Sequence, residues 1–353
     1  MNIAVIGAGG SIGRQIAQMI VTEQLLKCDE HLILVGNPVG KSARSLYGYA
    51  VDIMDAYAEI SPRIDVVLDP GEIRGDLIIM AGGATIPLEQ NSGKTSRDDL
   101  AAGNLPVFET YAEALKKYGH GHEIVICVSN PNELAVAVFA RHLGRKRVIG
   151  MGAFLDSLRF RKEIAQDLGI RRQRIHGYMA GEHGLHAVPL WSSIHIYGYE
   201  PEILENAIQG IRRGYETVHF HRDAAEAGRH LTDLVLAGKV KKAYGLIDQY
   251  PPDIRAVLKP FITHFSGSKT VTGTARATMD FIRTIMMGND ALVPGQIQLD
   301  GECYGIHSTI GVPFVIGNQG VDRIFEIPVH DDEKALMLQS AALIQEKLDA
   351  CLS

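Results

Sequence analysis

"MNIAVIGAGGSIGRQIAQMIV", residues 1–21, decides the fold. A β-branched apolar run (Ile3, Val5, Ile6) leads into a glycine cluster, then into apolar residues at helical spacing (Ile12, Ile16, Ile20). Gly7, Gly10 and Gly13 stand three apart, and Gly9 adds a partial G-x-G reading. Glycine permits the tight bend, so backbone N–H groups and a helix N-terminus can approach a pyrophosphate. A glycine pattern alone says little; between a strand and an amphipathic helix it marks a dinucleotide-binding turn. The expected cofactor holders there are Gly7, Gly9, Gly10, Ser11, Ile12 and Gly13.

The alternation repeats along the first half. "HLILVG" (31–36), "DLIIMAG" (76–82), "EIVICVSN" (123–130) and "RVIGMG" (147–152) read as further strands, with helical segments such as "YAEALKKY" (111–118) between them. Apolar strands alternating with helices imply a parallel sheet covered on both faces. The chain reads as α/β: a Rossmann-type doubly wound parallel sheet plus an α+β substrate domain. Residues 1–150 form the expected dinucleotide-binding domain and 151–353 the substrate and catalytic domain, divided where the alternation stops. Ligands in such sheets lie beyond the strand C-termini, where Gly36, Gly82 and Asn130 fall.

The second strand departs from the usual rule. A carboxylate at its end normally holds the adenosine ribose diol. Here the strand ends "VGNPVGKSAR" (35–44), with Gly36 and Asn37 in that place. A missing acid removes repulsion of a 2′-phosphate, and Lys41 and Arg44 bring cations that suit one. The expected cofactor is NAD or NADP, with NADP favoured.

Composition excludes several classes. Hydrophobic residues make up 46% of the 353, enough for a large core without disulfides or metal. A net charge of −6 argues against nucleic-acid binding, which needs concentrated positive charge. No apolar run reaches the ~20 residues of a membrane helix. No basic leader precedes the first strand, so neither a membrane partner nor a secretory signal is expected, and the expected location is cytoplasmic. Cys28, Cys127, Cys303 and Cys351 lack C-x-x-C spacing and read as reduced packing residues.

Chemistry gathers in the middle. "FLDSLRF" (154–160) sets Asp156 and Arg159 three apart, on one face if helical. "GEHG" (181–184) follows after a strand-like stretch, and "ICVSNP" (126–131) ends a strand with Asn130. "TSRDDL" (95–100) opens a helix behind a long loop, "ATIPLEQNSGK" (84–94). In this order the pieces resemble the lactate/malate dehydrogenase family, with Asp156-Ser157-Leu158-Arg159, Gly181–Gly184 and Ser129–Pro131 matching its Asp-Ser-x-Arg, Gly-Glu-His-Gly and Ser-Asn-Pro. "VPLWS" (188–192), "GVPFVIG" (311–317) and the final helix (333–352) extend the likeness, which lapses near 200–265.

The resemblance implies that His183 exchanges a proton with the substrate oxygen, while Asp156 orients its ring and stabilises the imidazolium. Arg159 would grip the substrate carboxylate through its two-donor fork. Arg97 would polarise the reacting carbonyl on loop closure, and Asn130 would bind substrate near the nicotinamide. A homodimer or homotetramer is also implied. Elementary chemistry agrees: hydride transfer to a carbonyl leaves an alkoxide, which needs a proton and a nearby positive charge.

Malate-using members carry an arginine six residues before the Arg97 equivalent. Gln90 or Asn91 holds that place here, depending on the alignment. A neutral residue favours a lactate-like or larger 2-oxo acid, since a second carboxylate without a cation would be costly. Lys94 or Lys269 could still serve a malate-type substrate, and Thr272 is a further pocket candidate. Two remoter alternatives are an NAD-dependent glycosidase and a non-catalytic nucleotide-binding protein. No metal site is expected, because neither His183 with His186 nor "HFH" (219–221) has a completing ligand cluster. "HFH" is expected to be solvated. Extra helices are expected over 228–250 and 251–265, split by Pro251-Pro252; they could cover the active site, extend an interface or decorate the surface.

Overall fold

The computed structural model describes residues 1–84, 97–288 and 290–352, with the side chains of Lys41, Ser42 and residues 97–99 left out. Its elements begin with β1 (Ile3–Ile6), α1 (Ser11–Thr22), β2 (His31–Val35), α2 (Lys41–Ala56) and β3 (Arg63–Val67). β4 (Leu77–Met80), α3 (Arg97–Tyr118), β5 (Ile124–Cys127), α4 (Asn132–Leu143), β6 (Val148–Gly150) and α5 (Gly152–Leu168) follow. Next come β7 (Ile175–Gly181), β8 (Ala187–Ile196), α6 (Pro201–Arg212), α7 (Phe220–Leu236), α8 (Val240–Ile247) and α9 (Pro252–Phe265). The chain finishes with α10 (Val271–Met287), β9 (Ala291–Gln298), β10 (Thr309–Gly317), β11 (Gly320–Ile324) and α11 (Asp331–Leu352).

The first six strands lie side by side in the order 3-2-1-4-5-6, every neighbouring pair parallel. Chain direction across the sheet reverses between β1 and β4, which places a ligand crevice beyond their C-terminal ends. β1, β4 and β5 are buried at every residue, as strands covered on both faces must be. β3 is the edge strand, with Arg63 and Asp65 exposed; that polar alternation hides it from a reading based on apolar runs. α1 buries Gly13, Ile16, Ala17, Ile20 and Val21, the i, i+3, i+4 stripe of a helix laid on a sheet.

β6 meets β9 through one residue pair, Gly150 with Gln296. Beyond that seam the strands run antiparallel in the order β9, β10, β7, β8, with β11 also pairing β10. Gln296 is fully buried there, and its Oε1 accepts the Ala153 N–H at the start of α5 at 2.9 Å. The sheet thus fixes where α5 begins.

The expected helix over 228–250 is divided. α7 ends at Leu236, Gly238 takes φ +73°, and α8 starts at Val240. α9 starts at Pro252, as the proline pair predicts. The "HFH" stretch is solvated only in part, with the His219 side chain 45% exposed and His221 half-buried. Phe220 is buried, and the His221 ring nitrogen Nε2 lies 3.0 Å from the Ala187 carbonyl oxygen. Burial pushes the His221 pKa down. Among the described residues, no helix is long and apolar enough to cross a membrane.

Candidate active site

The β1–α1 turn is shaped by what cannot fit in it. Gly7 has φ +81°, and a Cβ there would lie 2.5 Å from the Gly82 Cα. A Cβ on Gly13 would lie 2.3 Å from the Gly7 carbonyl oxygen. Any side chain at either place would push the turn off the end of β4. Gly10 caps α1 with extended backbone and no side-chain bond to the helix amides, so the first-turn N–H groups stay with the backbone cradle. Gly9 is partly exposed beside it, and Ser11 is exposed. This bare, glycine-lined helix start fits a dinucleotide pyrophosphate.

At the end of β2, the Gly36 N–H donates to the Val67 carbonyl at 3.0 Å. A Cβ on Gly36 would meet the Leu46 Cδ2 at 2.9 Å, so the position has no room for a carboxylate without repacking. Asn37 turns its side-chain oxygen back to accept the Val39 N–H at 3.0 Å. Arg44 is exposed on α2, and the Lys41 side chain lies outside the described residues.

The geometry around His183 depends on α5. Asp156 is 1% exposed. Its Oδ2 lies 2.7 Å from the His183 Nδ1, and its Oδ1 accepts from the Arg159 guanidinium at 3.1 Å. One carboxylate thus holds both a histidine and an arginine. Burial alone would raise the Asp156 carboxyl; the His183 charge and hydrogen bond, with Arg159, outweigh it and hold it below the usual carboxylate value. Burial pulls the Arg159 pKa down, against the opposing pull of Asp156. Gly152 makes the approach possible, since a Cβ there would lie 2.6 Å from the His183 Cβ.

His183 is fixed from behind as well. Its backbone N–H donates to the Glu133 Oε1 at 2.7 Å, and the Gly184 N–H reaches the Asp156 Oδ2 at 3.3 Å. Glu133 is buried, and burial, with the nearby Glu182 charge, raises its pKa. Lys347 on α11 pairs with Glu182 at 2.8 Å, and Ser340 accepts the Glu182 N–H at 2.9 Å. The last helix therefore braces the histidine segment.

A cavity of ≈ 480 Å³ opens over these groups. Ile12, Gly82 and Asn130 line it, as do Asp156, Arg159 and His183. Of the other expected residues, Lys269 lines the cavity, whereas Thr272 is exposed on α10 and Thr270 lines it instead. Arg97 begins α3, but its side chain lies outside the described residues, as do Gln90, Asn91 and Lys94. His186 is not part of the lining; its ring packs edge-on against His221, centroids 5.5 Å apart, while Leu185 faces the cavity.

Two contributors escape the sequence reading. Asn104, fully buried on α3, accepts from the Ala84 N–H at 2.6 Å and donates to the Asn130 carbonyl at 2.7 Å. It ties the ends of β4 and β5 together beneath the cavity. Glu133 is the second; an acid inside the apolar "NELAVAVFA" (132–140) is its only sequence signal. Of the three roles left open for the helix expected over 251–265, α9 takes the first, supplying Val257, Pro260, Phe261, His264 and Phe265 to the lining.

The geometry fits a nucleotide-dependent oxidoreductase centre, and comparison with known proteins gives the family. The family model described as the lactate/malate dehydrogenase NAD binding domain matches residues 1–150, and that of the lactate/malate dehydrogenase alpha/beta C-terminal domain matches 262–353. The chain is 30% identical over 356 residues to L-lactate dehydrogenase 2 of Enterococcus faecalis, covering 98% of this chain and 95% of that protein. It is 28% identical to the malate dehydrogenase of Geotalea daltonii, covering 99% and 98%. The solved structure of Cryptosporidium parvum malate dehydrogenase superposes with a TM-score of 0.74 at 22% identity, covering 99% and 98%. The chain belongs to the lactate/malate dehydrogenase family. It is a 2-hydroxy acid dehydrogenase.

Proposed function

We propose that the chain interconverts a monocarboxylic 2-oxo acid and its 2-hydroxy acid, with residues 1–150 binding the dinucleotide and 151–353 presenting the substrate groups. The observation that carries this reading is the Asp156 carboxylate bonded to the His183 Nδ1 on one oxygen and to Arg159 on the other. Gly7, Gly9, Gly10, Ser11, Ile12, Gly13 and Gly82 would hold the dinucleotide, which, when bound, supplies or accepts the hydride. Arg159 receives the substrate carboxylate and so orients the 2-oxo carbon. His183, with Nδ1 held by Asp156, presents Nε2 as the proton donor to the oxygen during reduction. Asp156 steadies the imidazolium before transfer and fixes the ring after it. Asn130 and Arg97 would complete the polar surround of the reacting oxygen.

For the form of the dinucleotide we favour NADP. The absence of any acid from residue 36 to residue 44 supports it, as does exposed Arg44. A dicarboxylic substrate is a second reading, favoured by Lys269 in the cavity wall. Self-association is supported by an exposed apolar stripe on α2 of Tyr47, Val51 and Met54, spaced one turn apart.

The test is His183→Asn. Turnover of a 2-oxo acid should fall by a factor on the order of 10² to 10⁴, with dinucleotide affinity retained by fluorescence titration. A fully active variant would sink the assignment.

A further inference from the structure

α9 has two faces with different work. Val257, Pro260, Phe261, His264 and Phe265, spaced i, i+3, i+4, i+7, i+8, all line the active-site cavity. Between them, Ile254, Leu258 and Ile262 are buried against the body of the protein. The cavity face is apolar and aromatic, with the Phe261 and Phe265 rings 4.7 Å apart and tilted by 59°. Leu185, two residues after His183, and Leu100 on α3 add apolar surface to the same space.

This wall is bolted to the helix that carries the chemistry. Arg255 is 1% exposed, and its guanidinium bonds the Glu163 Oε2 at 2.8 Å and the Asp167 Oδ1 at 2.7 Å. Lys259 adds a second cation on the Glu163 Oε2 at 2.8 Å. Arg159, Glu163 and Asp167 stand four apart on α5, hence on one face. The α5 face that grips the carboxylate is therefore the face on which α9 is mounted. Trp191 on β8 fixes the start of α9, donating to the Asp253 Oδ2 at 3.0 Å. The position of the apolar wall relative to Arg159 is set by charge-assisted bonds and not by a loose loop.

We propose that the cavity face of α9 is the subsite for the substrate's side chain, and that it selects 2-oxo acids bearing an aromatic side chain over those with a methyl or carboxymethyl group. The proposal rests on the dehydrogenase reading above and names the substrate class for that site. With the carboxylate on Arg159 and the carbonyl oxygen at His183, the third substituent of the 2-oxo carbon must point elsewhere in the cavity. The α9 wall offers it aromatic contact rather than polar contact. His264 is the wall's polar member, and its Nε2 is buried without a hydrogen-bond partner among the described residues. Burial, and then the Lys269 charge, lowers the His264 pKa, so a dicarboxylate's second carboxylate would have to meet Lys269 of the cavity lining and not His264.

The experiment compares kcat/KM for phenylpyruvate, pyruvate and oxaloacetate, using wild type, Phe261→Ala and Phe261→Leu. Wild type should favour phenylpyruvate over both others by at least about tenfold. Phe261→Ala should lower the phenylpyruvate-to-pyruvate ratio by about tenfold, and Phe261→Leu by less. The ratio is read within one protein, so loss of folded material does not move it. If wild type favours pyruvate or oxaloacetate, or if Phe261→Ala leaves the ratio in place, the subsite is wrong and the dehydrogenase reading stands. If wild type reduces none of a broad panel of 2-oxo acids with either dinucleotide, the underlying reading fails instead.

Discussion

The β1–α1 turn and the α9 wall flank one cavity and are made in opposite ways. The turn is defined by side chains that are missing: at Gly7 and Gly13 a single added carbon would strike backbone 2.5 and 2.3 Å away. The wall is defined by side chains that are present, and is held by an ion network between α9 and α5. On the proposed reading, backbone shape recognises what every turnover shares, the dinucleotide. Side-chain surface can distinguish one acid from another. The difference teaches that the two halves should fail differently.

The largest expected effect lies between them. Asp156→Asn removes the charge that steadies His183, so kcat should fall by a factor on the order of 10² to 10⁴, read by initial rates at saturating dinucleotide. Arg255→Met comes next. It takes the buried guanidinium away from Glu163 and Asp167, which keep Lys259 and Arg213, and should cost about 1.5–3 kcal/mol, measured by denaturant unfolding. It should also blur discrimination among 2-oxo acids while leaving dinucleotide affinity in place. Equal loss of both would break the comparison. Gly13→Ala should do the reverse. Overpacking against the Gly7 carbonyl should cost about 1–3 kcal/mol and weaken dinucleotide binding, with the ranking of acids retained.

Acid stability gives a smaller effect with a definite sign. The folded-state pKa of Asp156 is lowered, so its stabilising contribution is complete above the unfolded value of about 3.9. It is lost as pH falls through that value toward the folded one. Wild type should lose more stability than Asp156→Asn on acidification from about pH 5 to pH 3 in that range, followed by thermal melts. The smallest effect is at Arg44. Arg44→Glu should shift the NADPH-to-NADH ratio of kcat/KM toward NADH by about fivefold or less, the worth of one exposed ion pair. No shift would show that Arg44 does not meet the 2′-phosphate.

Legibility follows the same divide. β1, β2, β4, β5 and β6 could be read because buried parallel strands are continuous apolar runs, and the glycine spacing that follows β1 has one structural use. Asp156 and Arg159 could be paired because a helix puts residues three apart on one face. His183 needed its Gly-Glu-His-Gly setting, since nothing local ties it to a helix 27 residues earlier. β3 was hidden by its exposed edge residues. His221 was misread because its burial comes from packing against the start of β8, which no local pattern reveals. The same limit applies to α9. Its apolar face and its anchoring arginine are both visible in "PPDIRAVLKPFITHF" (251–265), yet only the fold shows that the anchor meets α5 and the face meets the cavity. Thr270 and Thr272 differ by two positions, and the start of α10 at Val271 decides which of them lines the site.

α5 has a consequence for how such an enzyme can change. Its first two turns carry Asp156 and Arg159, and its last two carry Glu163 and Asp167, the mount for α9. Heritable variation confined to the cavity side of α9 leaves that mount and the histidine's partner untouched. On the proposed role of that face, a lineage, or a library of variants randomised at those five positions, can drift through substrate preferences with Asp156, Arg159 and the mount unchanged.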